Sequence, residues 1–260
     1  MRQGSSRAWF ANRAEAGRVL AQRLETFAGR AGSREVRRES PSGVHSGVHS
    51  GVPSDVSSKL VVLGLPRGGV PVAAEVAAHL HAPLDCWLVR KLGLPGHAEF
   101  AMGALASGGD VEVDEVLLRE LGVGRAAVDE VARRERAELE RRERLYRRGR
   151  PPPEIAGRVV IVVDDGMATG ATMRAVVNAL RKGRPARIIV AVPVASREAC
   201  LEIGELADEC VCVAVPEPFR AVGMFYGDFS PTSDEEVLAC LARQDRLGAP
   251  ARDAGLGGPS

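Results

Sequence analysis

The chain has 260 residues, 45% of them hydrophobic, which suits one α/β domain with additions better than two independent domains. Its formal net charge of +1 gives no electrostatic sign of a general nucleic-acid or membrane binder. We find no apolar run long enough to span a membrane and no apolar signal core at the N-terminus, so a cytoplasmic location is expected.

The N-terminal part of the chain predicts one amphipathic helix followed by a linker. Asn12 is a suitable N-cap, Gly29 a suitable end, and the spacing between them is helical for Ala16, Val19, Leu20, Leu24 and Phe27. Residues 30–58 are polar and contain the tandem SGVH, SGVH, SGVP. Such repeats do not bury a core and favour a flexible linker, within which a metal pair of His45 and His49 is disfavoured.

The first predicted strand, Lys59 to Leu65, ends in a loop that suits an anion. The loop reads GLPRGGVP over residues 64–71 and precedes an alanine-rich helix over residues 72–80. Gly68 and Gly69 permit a turn with outward N–H groups, and the guanidinium of Arg67 matches phosphate oxygens. An ordinary strand-to-helix turn is the alternative interpretation.

A third apolar run, Leu84 to Val89, predicts a strand that ends in Arg90 and Lys91. A long insertion over residues 92–153 follows. Its apolar alternation around a Ser-Gly-Gly-Asp turn predicts a β-hairpin, and residues 130–150 mix Arg and Glu at helical spacing. A solvated helix with internal ion pairs explains that mixture better than a nucleic-acid stripe, because aromatic interleaving is absent apart from Tyr146.

Residues 159–172, VVIVVDDGMATGAT, combine a buried strand, two carboxylates and a turn that opens a helix. Val159 to Val163 fit a parallel strand covered on both faces. Asp164 and Asp165 would therefore lie at its carboxyl end, where open α/β sheets bind ligands. The helix N-terminus that follows predicts an anion site of phosphate size. Because no lysine follows Gly170, the loop is not a Walker loop.

The remaining elements complete an alternating pattern of strands and helices. Residues 187–192 and 210–215 predict strands, and residues 197–206 predict a helix between them. Ser233 and Glu236 form a capping-box pattern before a last helix. The five cysteines form no Cys-x-x-Cys pair and are expected to be small core residues in a reducing compartment: Cys86, Cys200, Cys210, Cys212 and Cys240.

The stretch 159–172 resembles the phosphoribosyl pyrophosphate (PRPP) motif of type I phosphoribosyltransferases, and the whole chain looks most like the bacterial "predicted phosphoribosyltransferase" group, whose acceptor is unassigned. The resemblance implies that Asp164 and Asp165 hold the ribose hydroxyls and bind Mg²⁺. It also implies that the following loop holds the 5′-phosphate: Gly166, Met167, Ala168, Thr169, Gly170, Ala171 and Thr172.

The same resemblance implies roles outside the motif. Arg67, Gly68 and Gly69 would form the pyrophosphate loop, with a cis peptide bond between Pro66 and Arg67. Lys91, or alternatively Arg90, would contact the pyrophosphate group. For the mobile loop that closes over the site in this family, the polar candidates are His97 and Glu99.

The segment Pro216 to Pro231 is similar to one that contacts the base in some relatives. Phe219 would stack on the base there, and Val222, Gly223 and Asp228 could occupy the neighbouring positions. The spacing from Gly223 to Asp228 is one residue longer than in the relatives, which weakens Asp228 as a metal contact. Alternatively, the four aromatic residues of this segment pack as a lid on the N-terminal helix: Phe219, Phe225, Tyr226 and Phe229.

The expected fold is α/β, a doubly wound, mostly parallel five-stranded sheet with an inserted hairpin/helical loop and a small hood, the cover that the two termini form over the sheet. The expected boundaries are an N-terminal hood helix (1–29), a linker (30–58), the core (59–215, with the mobile insertion 92–153), a C-terminal hood segment (216–245) and a disordered tail (246–260).

The resemblance implies Mg²⁺-dependent transfer of a 5-phosphoribosyl group between PRPP and a nitrogenous base or nucleotide, with release of pyrophosphate. Relatives that act on hypoxanthine or guanine carry an aspartate where this chain has Ala168, so a 6-oxopurine acceptor is not expected. Two alternatives remain, a non-catalytic PRPP or nucleotide sensor and a hydrolase of phosphoribosyl compounds. A homo-oligomer is left open, and no membrane or nucleic-acid partner is expected.

Overall fold

The computed structural model describes residues 9–30, 59–95, 97–109 and 111–248. The predicted linker beyond residue 30, including its SGVH repeats, lies outside the described residues. So does the predicted tail beyond residue 248. No helix among the described residues is long and apolar enough to cross a membrane.

The described residues form eight strands and seven α-helices around two sheets. The strands are β1 Leu60–Gly64, β2 Leu84–Cys86, β3 Val89–Leu94, β4 His97–Ala106, β5 Val111–Val113, β6 Val159–Val163, β7 Arg187–Val194 and β8 Glu209–Ala214. The helices are α1 Arg13–Arg30, α2 Gly69–Leu80, α3 Glu115–Glu120, α4 Arg125–Arg147, α5 Ala171–Lys182, α6 Arg197–Leu206 and α7 Asp234–Gly248, with a 3-10 turn at Val222–Phe225.

The main sheet has the order β2-β1-β6-β7-β8, and every neighbouring pair in it is parallel. Alternate residues of its strands enter two separate cores. Val62 and Ile161 pack on the side of α1, α2 and α7, while Val61 and Val160 pack on the side of α5 and α6. A strand covered on both faces needs apolar residues at every position, which explains the runs of valine. The doubly wound, five-stranded parallel sheet is therefore confirmed.

Both predicted helix caps are present at the two ends of the described chain. Asn12 Oδ1 accepts the amide of Glu15 at 3.0 Å. The Ser233 hydroxyl accepts the amide of Glu236 at 3.2 Å, while the Glu236 carboxylate accepts the amide of Ser233 at 2.7 Å. These bonds satisfy amide groups that have no partner inside a helix, so they fix where α1 and α7 begin.

The predicted strand over residues 84–89 is wrong as a single element. β2 ends at Cys86, and the chain then leaves the parallel sheet to form β3, which pairs antiparallel with β4. Ser107 holds the chain at this exit, because its hydroxyl accepts the amide of Leu88 and its own amide donates to the carbonyl of Leu88. The sequence predicted the hairpin of β4 and β5. It did not predict that β3 joins this hairpin to form a three-stranded sheet.

Candidate active site

The acidic pair and the glycine-rich loop meet at one edge of the main sheet. β1 and β6 are parallel neighbours, with Gly64 opposite Val163, so the segments that follow the two strands emerge side by side. A Cβ atom added to Gly68 would lie 2.0 Å from Asp165 Oδ2, and one added to Gly69 would lie 2.7 Å from the carbonyl oxygen of Val163. No larger residue fits without moving the acid or the strand, so glycine is required for this close approach.

The peptide bond between Pro66 and Arg67 is cis in the structure, which confirms that prediction. Arg67 follows it with an exposed side chain, and the adjacent α2 begins at Gly69. The loop therefore presents one guanidinium and one helix N-terminus beside the acidic pair, both of which favour an anion.

The two aspartates are partly buried and lie close to one another. The amide of Asp165 donates to Asp164 Oδ1 at 2.8 Å. Burial raises the pKa of Asp164 well above its usual value, and the neighbouring charge of Asp165 raises it further. Burial also raises the pKa of Asp165, while the hydrogen bond and charge of Arg13 oppose that rise. An adjacent pair in this environment favours a bound cation or hydroxyl donors.

Sequence reasoning missed the residues that hold Asp165. Arg13, the first residue of α1, donates from Nε to Asp165 Oδ2 at 2.8 Å. The Tyr226 hydroxyl donates to the backbone carbonyl of Asp165 at 2.5 Å. Both come from the hood, far along the chain from the acidic pair, and no local pattern marks either one.

The predicted phosphate turn forms between β6 and α5. Gly170 has a φ of 72°, in the left-handed region that glycine adopts readily, and it caps α5. Ser196 fixes the turn, because its hydroxyl donates to the carbonyl of Ala168 at 2.6 Å and its amide donates to the carbonyl of Met167 at 2.9 Å. The side chain of Met167 lies in the apolar core, so it contributes to the turn by its backbone alone. Thr169 is exposed at the tip.

A cleft of about 630 Å³ adjoins this turn. One wall is Ala168 and Thr169, and another is the segment that leaves β8, including Phe219. Charged residues of both signs complete the lining: Arg197, Glu198, Glu217 and Arg220. Phe219 is half-buried and stacks on Phe225, with ring centroids 5.6 Å apart. The cleft therefore combines an aromatic ring held in place with both hydrogen-bond donors and acceptors.

The four aromatic residues of the C-terminal segment pack together with Phe10, as the lid interpretation predicts. Tyr226 contacts both Phe10 and Phe229. Asp228 is exposed, and its Oδ1 accepts the amide and the hydroxyl of Ser230. These two bonds occupy Asp228 within its own turn, in keeping with the doubt that the sequence spacing cast on it as a metal contact.

Lys91 lies within β3 of the small sheet, opposite Ala104, and not just after a strand of the main sheet. It is exposed and lines a second cleft, of about 340 Å³, whose other side includes Thr172 and Arg174 of α5. Lys91 therefore lies near the end of the phosphate turn, but it is placed there by the small sheet and not by a strand of the main sheet. Arg90, the alternative, pairs with Glu135 of α4 at 2.6 Å. A role for Lys91 at pyrophosphate stays a prediction.

His97 and Glu99 lie in β4, within the first residues of that strand. Their side chains lie outside the described part of the chain. Their roles in a closing loop stay predictions.

Comparisons with known proteins agree with this geometry. The phosphoribosyl transferase domain family matches residues 54–224, about two thirds of the chain, so this chain belongs to the type I phosphoribosyltransferase family. The match includes the glycine-rich loop, the acidic pair and the phosphate turn.

Two curated relatives and one solved structure are the most informative matches. A Mycobacterium tuberculosis protein that carries the provisional name phosphoribosyl transferase, found in strains H37Rv and CDC 1551, is 40% identical over 237 residues. That alignment covers 91% of this chain and 47% of the relative, so the chain spans about half the length of the curated relatives it matches. The crystal structure of TT1426 from Thermus thermophilus is 40% identical, with a TM-score of 0.71 over 90% of this chain and 98% of that one.

Proposed function

We propose that this chain transfers the 5-phosphoribosyl group of PRPP to a nitrogenous acceptor and releases pyrophosphate in a Mg²⁺-dependent reaction. The observation that supports this most directly is the contact between Gly68 and Asp165. It joins an anion loop to a pair of carboxylates, and PRPP carries pyrophosphate and ribose hydroxyls on adjacent carbon atoms. Membership of the family supports the transferase class.

Each part of PRPP has a complementary group in the proposed site. The phosphate turn and the N-terminus of α5 would bind the 5′-phosphate, since helix N-termini favour anions. Asp164 and Asp165 would accept hydrogen bonds from the ribose hydroxyls. Arg67 and the amides of its loop would receive pyrophosphate, with Lys91 approaching from the small sheet.

The residues at the acidic pair fit Mg²⁺. Asp164 and Asp165 offer the carboxylate oxygens that this ion prefers, both partly buried at one strand end. When bound, Mg²⁺ would neutralise the negative charge that grows on pyrophosphate. Arg13, which is paired with Asp165, supplies a positive charge to the same carboxylate from the protein itself.

In the proposed reaction the bond from the anomeric carbon to pyrophosphate breaks while a bond from that carbon to the acceptor nitrogen forms. Pyrophosphate leaves with the bonding electron pair. The protein's contribution is to position the two reactants and to stabilise the charge that develops, because no covalent intermediate is needed. Arg67 and the loop amides would stabilise pyrophosphate as its charge grows.

The acceptor is proposed to bind in the cleft beside Phe219. An aromatic face flanked by Arg197 and Glu198 suits a flat heterocycle with both donors and acceptors. Ala168 at the end of the turn offers no acid or base, so a proton on the acceptor would have to leave to another group or to water.

The sensor alternative drew its support from the arginine-rich helix α4. In the structure several of these arginines pair with glutamates along the helix, including Arg133 with Glu130 and Arg141 with Glu138. Their positive charge is largely balanced, which does not favour a nucleic-acid surface.

The test is to incubate the protein with PRPP and Mg²⁺ and to measure pyrophosphate release with and without a panel of nitrogenous bases and nucleotides. Acceptor-dependent release supports the proposal. Release without any acceptor would indicate the hydrolase, and PRPP binding without release would indicate the sensor.

Matched variants sharpen this test. Asp164→Asn with Asp165→Asn should weaken PRPP binding, because each charged hydrogen bond is worth about 1.5 to 3 kcal/mol. Asp129→Asn, on the exposed surface of α4, is the control and should bind PRPP as the wild type does. Unchanged affinity in the double variant would remove the acidic pair from the site.

A further inference from the structure

Three of the five cysteines converge between α6 and the edge strand β8. Cys210 and Cys212 lie two residues apart on β8 and therefore point to the same face of the sheet. Cys200 lies on α6, which covers that face. Their sulfur atoms come together: Cys200 Sγ is 3.0 Å from Cys212 Sγ, and Cys210 Sγ is 3.8 Å from Cys212 Sγ.

All three sulfur atoms lie within 4.8 Å of one another, which is the only such grouping of His, Cys, Asp and Glu ligand atoms found among the described residues. The Zn–S distance of about 2.3 Å places the sulfurs of a tetrahedral zinc thiolate site about 3.8 Å apart. One sulfur pair already has that spacing, and the shorter pair would have to separate by less than about 1 Å to reach it. A side-chain rotation can supply such a shift.

The three cysteines pack at the edge of an apolar core and remain partly exposed. All three cysteines are only half-buried, so an ion can reach them from solvent. The other two cysteines stand apart. Cys86 is fully buried in β2 at the opposite edge of the main sheet, and Cys240 lies on α7.

We propose that Cys200, Cys210 and Cys212 together bind one thiophilic metal ion, Zn²⁺ or Cu⁺, through their three sulfur atoms. Soft thiolate ligands select these ions over Mg²⁺, so the site is chemically distinct from the proposed PRPP site. Cu⁺ accepts three thiolates, and Zn²⁺ takes a solvent molecule as its fourth ligand, which the half-exposed position permits.

A metal ion here would fasten α6 to β8. Both elements continue into the walls of the cleft beside Phe219, since Arg197 begins α6 and Pro216 follows β8. The ion would therefore act as a structural cross-link behind the cleft, with no part in the reaction itself.

The test uses the full chain, reduced and freed of metal under argon. Cd²⁺ is titrated while thiolate-to-metal charge-transfer absorption is recorded, and Zn²⁺ and Cu⁺ are then measured in competition with chromophoric chelators. We expect one ion per chain, and an increase in the melting temperature on binding, because a ligand that binds only the folded state stabilises it.

Two variants and a control decide the outcome. Cys210→Ser, and Cys200→Ser combined with Cys212→Ser, should abolish the charge-transfer band, while Cys240→Ser should retain it. Circular dichroism of each metal-free variant checks that the chain still folds. The proposal would be overturned if the reduced wild type bound no metal, or if the cluster variants showed a charge-transfer band as strong as that of the wild type. It would also be overturned if Cys200 and Cys212 were found in a disulfide that reductants do not cleave.

Discussion

Arg13 Nε lies 2.8 Å from Asp165 Oδ2, across 152 residues of sequence, so the first residue of helix α1 carries the cation next to the acidic pair. The same guanidinium donates to the carbonyl of Ser230 at 2.7 Å and lies 4.0 Å from the ring centroid of Phe229. The side chain of Arg13 therefore connects helix α1 and the C-terminal segment of the hood to the end of strand β6.

Arg13→Ala should lower the free energy of unfolding by about 2 to 4 kcal/mol, because it removes charged hydrogen bonds and a cation–π contact that are mostly shielded from solvent. Urea denaturation measures this change. Arg18→Ala on the same helix is the control, since Arg18 is 60% exposed and 3.7 Å from Glu75, and it should cost less than about 1 kcal/mol. Equal losses in the two variants would contradict a special role for Arg13.

Gly68→Ala should weaken PRPP binding about ten- to a hundredfold, because the new methyl group would displace the Asp165 carboxylate and lose a charged hydrogen bond. The φ of Gly68 is −64°, which alanine adopts freely, so the steric conflict is the whole effect. Calorimetry with PRPP and Mg²⁺ measures it. Gly124→Ala, where an added Cβ meets nothing within 4 Å, should bind as the wild type does. Wild-type affinity in Gly68→Ala would separate the loop from the site.

The wild type should not turn over hypoxanthine or guanine, because Ala168 cannot transfer a proton at the purine ring. Pyrophosphate release with these two bases and PRPP, compared with other acceptors at equal concentration, is the measurement. Efficient turnover of either 6-oxopurine would show that another group serves as the acid or base.

Arg147→Met should destabilise the fold by about 3 kcal/mol near neutral pH, because it removes the cation that pairs with one buried and one partly buried acid. Arg147 is 5% exposed and lies 3.7 Å from Asp85 and 3.4 Å from Glu143. Arg144→Met, a substitution of an arginine that is 71% exposed, is the control and should cost less than about 1 kcal/mol.

The loss in Arg147→Met should also depend on pH. Burial raises the pKa of Asp85, while the charges of Arg147 and, more weakly, Arg150 oppose the rise. Without Arg147 this pKa rises further, so the folded state holds its proton to higher pH than the unfolded state does. Stability is then lost as pH rises above about 4, the usual pKa of an unfolded aspartate, and the difference from the wild type should grow once pH passes the raised pKa of Asp85 in the folded wild type. A difference that is constant with pH would mean that Arg147 acts by packing alone.

The cis bond before Arg67 was expected mainly from the resemblance to the family, whereas the sequence by itself determined the strands of the main sheet, apart from the length of β2, and the turn after β6. Each depends on neighbours in the chain: a run of valines suits only a strand buried on both faces, and Gly170 takes a left-handed conformation that most residues resist. The helix caps at Asn12 and Ser233 could also be predicted from the sequence, because each cap bonds to an amide only three residues away.

Only the tertiary structure decided which distant groups meet. Where the chain leaves the main sheet after Cys86, Leu88 bonds to Ser107, 19 residues away, and Lys91 lies in another sheet. Arg13 reaches Asp165, and Cys200 reaches Cys212, because helices cross strands at contact points that no spacing along the chain encodes. Such pairings follow from how the layers pack, and packing is a property of the whole sheet and its helices.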